Sequence, residues 1–457
     1  MPPSITRAFR RYHAARVSRT NENGVDRTVS SSNEGLGIPG YAPDGLIACH
    51  ACDGAHRIVP VPAGGKALCS RCGGLLYRNL PKSLDHSAAL YLAAFVLFVL
   101  ANSFPFVALK YGDRVEQTVL VSSAFALQKA GMPEIGLLVL LTSFLFPLLT
   151  ICGMLYLLIP LRLGLRPRRM AQVWRFVRAI SPWSLIGVFM LGLLVSVVKL
   201  QDLASVIPGV AFFAFVGLLV VSTAATASFD PGVLWPRQGP VPKAAAAGSA
   251  AGMGYATCHT CDLLVARPDS GRRPWHCPRC GSEMHGLRLP ESVSRTWALL
   301  SAATLLMIPA NLLPVMTVIR FGQGEPNTIL SGVVHLAEDG AWPLAALVFF
   351  ASFVVPITKI GALGLLRVTV QRGSGWRVRD RTLLYRVTEA VGAWSMVDIF
   401  LVGILVALVR MDTLATVIPG LGATFFGAAV VLTMLAARAF DPRLMWDRAV
   451  HETRGRV

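Results

Sequence analysis

Residues 49–73 read CHACDGAHRIVPVPAGGKALCSRCG, and residues 258–281 read CHTCDLLVARPDSGRRPWHCPRCG. In each stretch two Cys-x-x-Cys pairs are separated, by 16 residues in the first copy and 15 in the second. That spacing lets four thiolates converge tetrahedrally on one metal ion, Cys49, Cys52, Cys69 and Cys72 in one set and Cys258, Cys261, Cys277 and Cys280 in the other. Zinc is the expected metal, with iron in a rubredoxin-like site as the lesser alternative, since tetrahedral sulfur geometry suits both. A full set of sulfur ligands leaves no open coordination position, so the sites read as structural and His50, His56, His259 and His276 as neighbours without a necessary role as ligands. Gly73 and Gly281 free the backbone to turn its amides toward the sulfurs. Thiols held in such pairs suit a reducing compartment better than a disulfide scaffold does.

The likeness of the two stretches continues along the chain. Asn102 and Pro105 return as Asn311 and Pro314, Trp183-Ser184 as Trp394-Ser395, Ile207-Pro208-Gly209 as Ile418-Pro419-Gly420, and Phe229-Asp230-Pro231 as Phe440-Asp441-Pro442. The offset stays between 208 and 211, so the chain is one unit written twice.

Of the 457 residues 54% are hydrophobic and 15% charged, against about 25% charged in an ordinary soluble protein. Apolar runs at 88–109, 134–159, 183–200 and 206–228, and again at 296–319, 343–366, 392–409 and 412–436, are each long enough to cross a hydrocarbon core of about 30 Å. The expected fold is an α-helical polytopic membrane protein of two tandem repeats, each a small β-rich zinc ribbon followed by about four transmembrane helices. Its parts are a disordered basic tail (1–44), ribbon one (45–80), four spans (86–235), a linker rich in proline, alanine and glycine (236–255), ribbon two (256–290), four further spans (295–446) and a short tail (447–457). An even number of spans returns the second ribbon to the side of the first, making the halves parallel repeats. The loops after the second spans carry Arg162, Arg166, Arg168, Arg169, Arg175 and Arg178, and Arg367, Arg372, Arg377, Arg379, Arg381 and Arg386. The positive-inside rule therefore sets both ribbons and both termini in the cytoplasm. The same rule explains the net charge of +18 without nucleic acid.

Asn102 with Pro105, and Asn311 with Pro309 and Pro314, place helix-breaking prolines beside an amide in the first span of each half, where a kink or break is expected. The halves differ at two polar positions. Lys359 stands where the first half has Thr150, and Asp398 where it has Gly187. Charges inside a span are costly and face one another or a watery cavity, so Lys359, Asp398 and Ser395, with Thr358 and Ser352 nearby, form a candidate intramembrane polar site, either gating or a static bridge.

The doubled order of Cys-His-x-Cys-Asp, Cys-x-Arg-Cys-Gly, Asn-x-x-Pro, Trp394-Ser395-Met396-Val397-Asp398-Ile399-Phe400, Ile-Pro-Gly and Phe-Asp-Pro resembles the paraquat-inducible protein A family, also called the LetA family, over residues 45–446. The resemblance implies a bacterial inner-membrane protein working with a periplasmic MCE-domain partner, exchanging phospholipid with the tunnel that partner forms. A lipid-transfer role predicts a lipid-sized apolar cavity open to the periplasm. The chain lacks a Walker A pattern and no nucleophile stands beside a base, so it does not read as an enzyme. The rival readings are a zinc-ribbon scaffold or sensor, and a redox protein of the envelope stress response.

Overall fold

The computed structural model describes residues 45–111, 114–118, 121–200, 205–235, 249–268, 275–284, 292–320, 323–338, 340, 342–408, 410–411 and 415–447. The basic tail, most of the linker and the last ten residues lie outside them. Among the described residues eight helices, 19 to 30 residues long, are apolar enough to cross a membrane: Ser83–Ser103, Pro133–Arg162, Met170–Val197 and Val210–Ser228, then Ser292–Leu312, Trp342–Gln371, Val378–Ile404 and Leu421–Ala439. The apolar windows of the two entry helices, Ser83–Ser103 and Ser292–Leu312, are only 33% and 28% buried, so most of their oily surface faces outward. A water-soluble fold would hide such surface; a lipid-facing one leaves it out.

Each ribbon is a pair of antiparallel hairpins. Leu46–Ala48 pairs with Ala55–Arg57 and Lys66–Leu68 with Leu75–Arg78, while Tyr255–Thr257 pairs with Leu264–Ala266 and Trp275–His276 with Glu283–Met284. Each entry helix then packs along the exit helix of its own half, Val210–Ser228 or Leu421–Ala439. The hydroxyl of Ser83 donates to the Ser228 carbonyl at 2.8 Å and accepts the Asp230 amide at 2.9 Å. Ser292 does the same with Ala439 and Asp441, at 2.5 and 3.1 Å. The aspartates of the Phe-Asp-Pro motifs accept from the amides two residues on, those of Gly232 and Arg443, at 2.9 and 3.0 Å, and so fix the turns that follow the exit helices. Replacing Ser83 or Ser292 with alanine strands two buried backbone groups, so each variant is expected to lose about 1–3 kcal/mol. Thermal unfolding in detergent reads this as a lower midpoint, and unchanged midpoints in both would contradict it.

The far ends differ from expectation. The entry helices stop at Ser103 and Leu312, so the expected spans 88–109 and 296–319 run too far. Pro105 and Pro314 stand beyond the last turn and act as stops, Phe104 already being extended (φ −111°, ψ 160°) because proline disfavours helical geometry in the residue before it. Asn102 and Asn311 bind back onto their own last turns, donating to the carbonyls of Phe98 and Met307 at 2.8 Å each, and do not break the helix. Pro309 lies inside the helix Ser292–Leu312. The chain continues as strands. Val107–Tyr111 pairs with Arg114–Thr118 and with Ser205–Pro208, and Met316–Arg320 pairs with Gln323–Asn327 and with Ala415–Pro419, which also pairs with Arg410–Met411. Because the strands follow the entry helices and precede the exit helices, both sheets sit at the end of the bundle opposite the ribbons. Gly209 and Gly420 allow the closest approach there, since a Cβ on either would collide with the carbonyl oxygen of Pro105 or Pro314.

Helix irregularity lies instead in the second spans. Leu141–Leu145 and Phe350–Val354 are π-helical turns just before Pro147 and Pro356, whose rings cannot donate to the usual carbonyl. The arginine-rich segments are also more ordered than a loop. Arg175 and Arg178 lie on the helix Met170–Ile180, whose Trp174, Val177 and Ile180 are buried, and Arg379, Arg381 and Arg386 lie on Val378–Val391. Arg367 falls inside the helix Trp342–Gln371, fully buried and donating to the Val293 carbonyl. The halves meet through their third spans, where a Cβ on Gly192 would lie 3.0 Å from that of Phe400, and Phe189 and Phe400 pack with ring centroids 5.4 Å apart.

Candidate functional site

The eight paired cysteines form two buried clusters, Cys49, Cys52, Cys69 and Cys72 and Cys258, Cys261, Cys277 and Cys280, with all sulfurs of a cluster within 4.8 Å of one another. The shortest separations are 3.5 Å, for Cys49–Cys72, Cys52–Cys69, Cys258–Cys280 and Cys261–Cys277. Sulfurs about 2.3 Å from a central ion in a tetrahedron stand about 3.8 Å apart, so both clusters fit a four-sulfur metal centre. Knuckle turns shape them. Asp53, Gly73, Asp262 and Gly281, each directly after a second cysteine, have φ of 57°, 70°, 60° and 65°. Each donates its amide to the first cysteine's carbonyl, at 2.8, 2.8, 3.1 and 2.8 Å. Glycine adopts this left-handed geometry freely and aspartate tolerates it, which explains the residue after every pair.

The sequence did not reveal where the ribbons dock. Ribbon one lies against the second membrane half: its cysteines share a core with Leu366, Val370, Tyr385, Phe440 and Trp446. Arg443 donates to the His50 carbonyl at 3.1 Å, Arg71 lies 4.6 Å over the Trp446 ring, and Arg386 donates to the sulfur of Cys72 at 3.2 Å. Ribbon two lies against the first half, where Trp174 and Arg178 donate to the Thr260 carbonyl at 2.9 and 2.8 Å and Arg175 to that of Gly281 at 3.2 Å. The ribbons also touch one another. His50 meets Asp262 at 3.2 Å, and just ahead of ribbon two, at the end of the linker, the Ala251 amide donates to Asp53 at 3.0 Å. Burial alone would raise the Asp262 carboxyl, but His50 and Arg178 hold it below the usual carboxylate range. His56 contacts the Cys69 sulfur at 3.2 Å, so this histidine has a role beside a ligand.

In the membrane part, Lys359 is 3% exposed and directs its ammonium to the Gly392 carbonyl at 3.5 Å, an oxygen that also accepts from Ser395 at 3.2 Å. Ser352, buried in the π turn, lies two turns before Lys359 on the same helix. Thr358 is exposed on another face and is not brought to the site. The side chain of Asp398 lies outside the described residues. Gly392 is the member that sequence reading missed: a Cβ there would sit 2.8 Å from the Lys359 nitrogen, so a side chain at this position would press the ammonium away from the turn. The clue was its place two residues before the Trp-Ser motif.

The family model of paraquat-inducible protein A matches residues 84–238 and 293–450, one match on each membrane half. The chain belongs to the paraquat-inducible protein A family. Among curated relatives, the Escherichia coli intermembrane transport protein PqiA is 34% identical over 409 residues, covering 88% of this chain and 95% of the relative. The Escherichia coli lipophilic envelope-spanning tunnel protein A is 30% identical over 406 residues, covering 89% and 91%. A probable intermembrane transport protein of Haemophilus influenzae is 26% identical over 413 residues, covering 88% and 96%. No solved structure matches the chain significantly. This family member is thus a multi-pass membrane protein of two repeats whose relatives are named for transport and not for catalysis.

A groove of about 810 Å³ opens on its first half between the helices Ser83–Ser103 and Pro133–Arg162, lined by Ala88, Leu92, Val96, Ile159 and Leu163 with Arg162 at its mouth. Arg162 pairs with Asp85 at 3.0 Å. The groove lies toward the ribbon end of the spans, not at the opposite end where the sequence reading set a lipid cavity. The second half has Trp297 and Gln371 at the positions of Ala88 and Arg162, so the bulk that would fill the groove and the charge at its mouth are exchanged there.

Proposed function

We propose that this protein is the bacterial inner-membrane component that exchanges phospholipid between the bilayer and a periplasmic MCE-domain partner. The observation that carries the lipid part of this reading is the groove at the ribbon end, while the periplasmic partner rests on the family resemblance. Its volume lies within the range of about 300–1,000 Å³ typical of small-molecule pockets, its wall is apolar for about 13 Å along the entry helix, and an arginine and an aspartate stand beside it at the ribbon end of the spans. A basic residue at the cytoplasmic end of a cleft between spans suits a lipid phosphate, and the neighbouring carboxylate suits an ammonium headgroup. Names that include intermembrane transport and an envelope-spanning tunnel among the relatives support the same reading.

In this reading the ribbons hold zinc and face the cytoplasm together with both termini, beside the arginines that the positive-inside rule keeps there. Zinc would be held by the eight paired cysteines and would supply folding energy to domains too small to fold alone. The two sheets at the other end face the periplasm, and their edge strands Arg114–Thr118 and Gln323–Asn327, each with one strand neighbour among the described residues, offer an edge to a partner. Lys359, Ser395 and Ser352, with Asp398 on the adjoining helix, serve as the polar switch of a conformational cycle confined to the second half.

A photoreactive residue at Val96, in cells labelled with radioactive phosphate, is expected to capture phospholipid several-fold more than one at Leu305, its outward-facing counterpart in the second half. Ala93→Trp should reduce that capture to the Leu305 level. Equal capture at Val96 and Leu305 would remove the groove from the mechanism.

A further inference from the structure

The two sulfur clusters differ in what meets the sulfur of their last cysteine, although ribbon one also has its own His56 at 3.2 Å from the Cys69 sulfur. In ribbon two the hydroxyl of Ser282 lies 2.9 Å from the Cys280 sulfur and 3.1 Å from that of Cys258, a partner supplied by the ribbon itself. In ribbon one the residue at the matching position is Gly74, which has no hydroxyl. The Cys72 sulfur, equivalent to that of Cys280, is instead met at 3.2 Å by the guanidinium of Arg386, 314 residues away on the helix Val378–Val391. The same guanidinium approaches the Cys72 carbonyl at 3.5 Å. Gly74 makes the space: a Cβ there would lie 2.5 Å from the Arg386 nitrogen. The counterpart of Arg386 in the first half, Arg175, contacts ribbon two at the Gly281 carbonyl and not at a sulfur.

We infer that ribbon one holds its metal with the help of the second membrane half through Arg386, whereas ribbon two is self-sufficient through Ser282. The inference rests on both clusters binding metal, as proposed above. Four thiolates around a divalent ion carry a net charge of −2, and a charge-assisted N–H to sulfur contact offsets part of it. The linkage is reciprocal: whatever Arg386 adds to metal binding in ribbon one, the metal adds to the docking of Val378–Val391. That helix leads directly into Gly392, the turn that receives Lys359, so the occupied ribbon one braces the polar site from the cytoplasmic side. Ribbon two instead docks on the first half, through Trp174, Arg175 and Arg178, and that half has Thr150 in place of Lys359.

The test uses the full-length protein in detergent, challenged with a chelator, with metal content followed by mass spectrometry and the vacated site identified by alkylation of Cys69 and Cys72 against Cys277 and Cys280. Removing such an outer partner typically weakens metal binding by about 10–100-fold. Arg386→Gln is therefore expected to release one metal per chain about tenfold faster or more, from ribbon one alone, while Arg175→Gln releases both as the parent does. Gly74→Ser combined with Arg386→Gln supplies ribbon one with the hydroxyl of ribbon two and is expected to slow its release again. Ser282→Ala, which leaves the contacts with the membrane half in place, should speed release from ribbon two alone. Parent-like release from Arg386→Gln, equal loss from both ribbons, or parent-like release from Ser282→Ala would overturn the inference. A parent protein without metal would instead overturn the metal reading on which it rests.

Discussion

Stripping the metal from the purified protein is expected to raise the number of thiols that a hydrophobic maleimide modifies from one to nine. The chain has nine cysteines, of which eight are buried in the two clusters and Cys152 is exposed. A ribbon of about 30 residues buries too little apolar surface to stay folded alone, and structural zinc in comparable modules contributes about 10–16 kcal/mol of apparent binding energy. Without the ion, four thiols 3.5 Å apart or slightly more have nothing to hold them together, and the hairpins open. The damage should also reach the membrane part, because each ribbon is packed on the half it does not precede. A chelated sample is therefore expected to unfold at a lower temperature over its helical signal as well. Nine reactive thiols before chelation, or a single one after it, would sink the metal reading. Iron in place of zinc would be visible in the absorption spectrum.

Lys359→Met is expected to abolish transport, by about a hundredfold or more, without lowering the unfolding temperature. The ammonium is 3% exposed within a span, and its single described contact is a long one, 3.5 Å to the Gly392 carbonyl. A buried charge so weakly compensated costs several kcal/mol, so methionine, similar in length and uncharged, should leave stability equal or higher if the lysine serves a cycle. If Lys359 were only a strut between the helices Trp342–Gln371 and Val378–Ile404, the same change would weaken the protein and spare transport. Gly392→Ala separates contact from charge, because it keeps the lysine and pushes its nitrogen away from the carbonyl by placing a carbon 2.8 Å from it. It should reproduce most of the transport loss. Full transport by both variants in a cellular complementation assay would leave the polar site without a function.

Legibility followed the range over which each signal acts. Knuckle spacing, the glycine or aspartate after each pair and the apolar runs are local, and each corresponds to a turn, cluster or helix. The helix ends were less legible because the strands Val107–Tyr111 and Met316–Arg320 begin with apolar residues, Val107 to Leu109 and Met316 to Ile319 apart from Thr317, that continue the oily run of the helix before them. Asn102 and Asn311 looked like interior breaks for the same reason, whereas the true interior irregularities precede Pro147 and Pro356. Thr358 seemed part of the polar site through nearness in sequence, but one residue along a helix turns a side chain by about 100° and sends it to another face.

By itself the sequence determined that one unit of four-cysteine ribbon and apolar helices occurs twice, which cysteines cluster, how many helices are apolar enough to cross a membrane and that Lys359 and Asp398 belong to the second half alone. Those properties follow from spacing, hydropathy and repetition, all of which act over a few turns of chain. Only the tertiary structure decided that the ribbons dock crosswise, that Arg386 meets Cys72, that Gly392 receives Lys359 and that a groove opens beside Arg162. These depend on contacts between residues as many as 393 positions apart, as for Arg443 and His50, and packing selects such contacts among many that the same local patterns would allow.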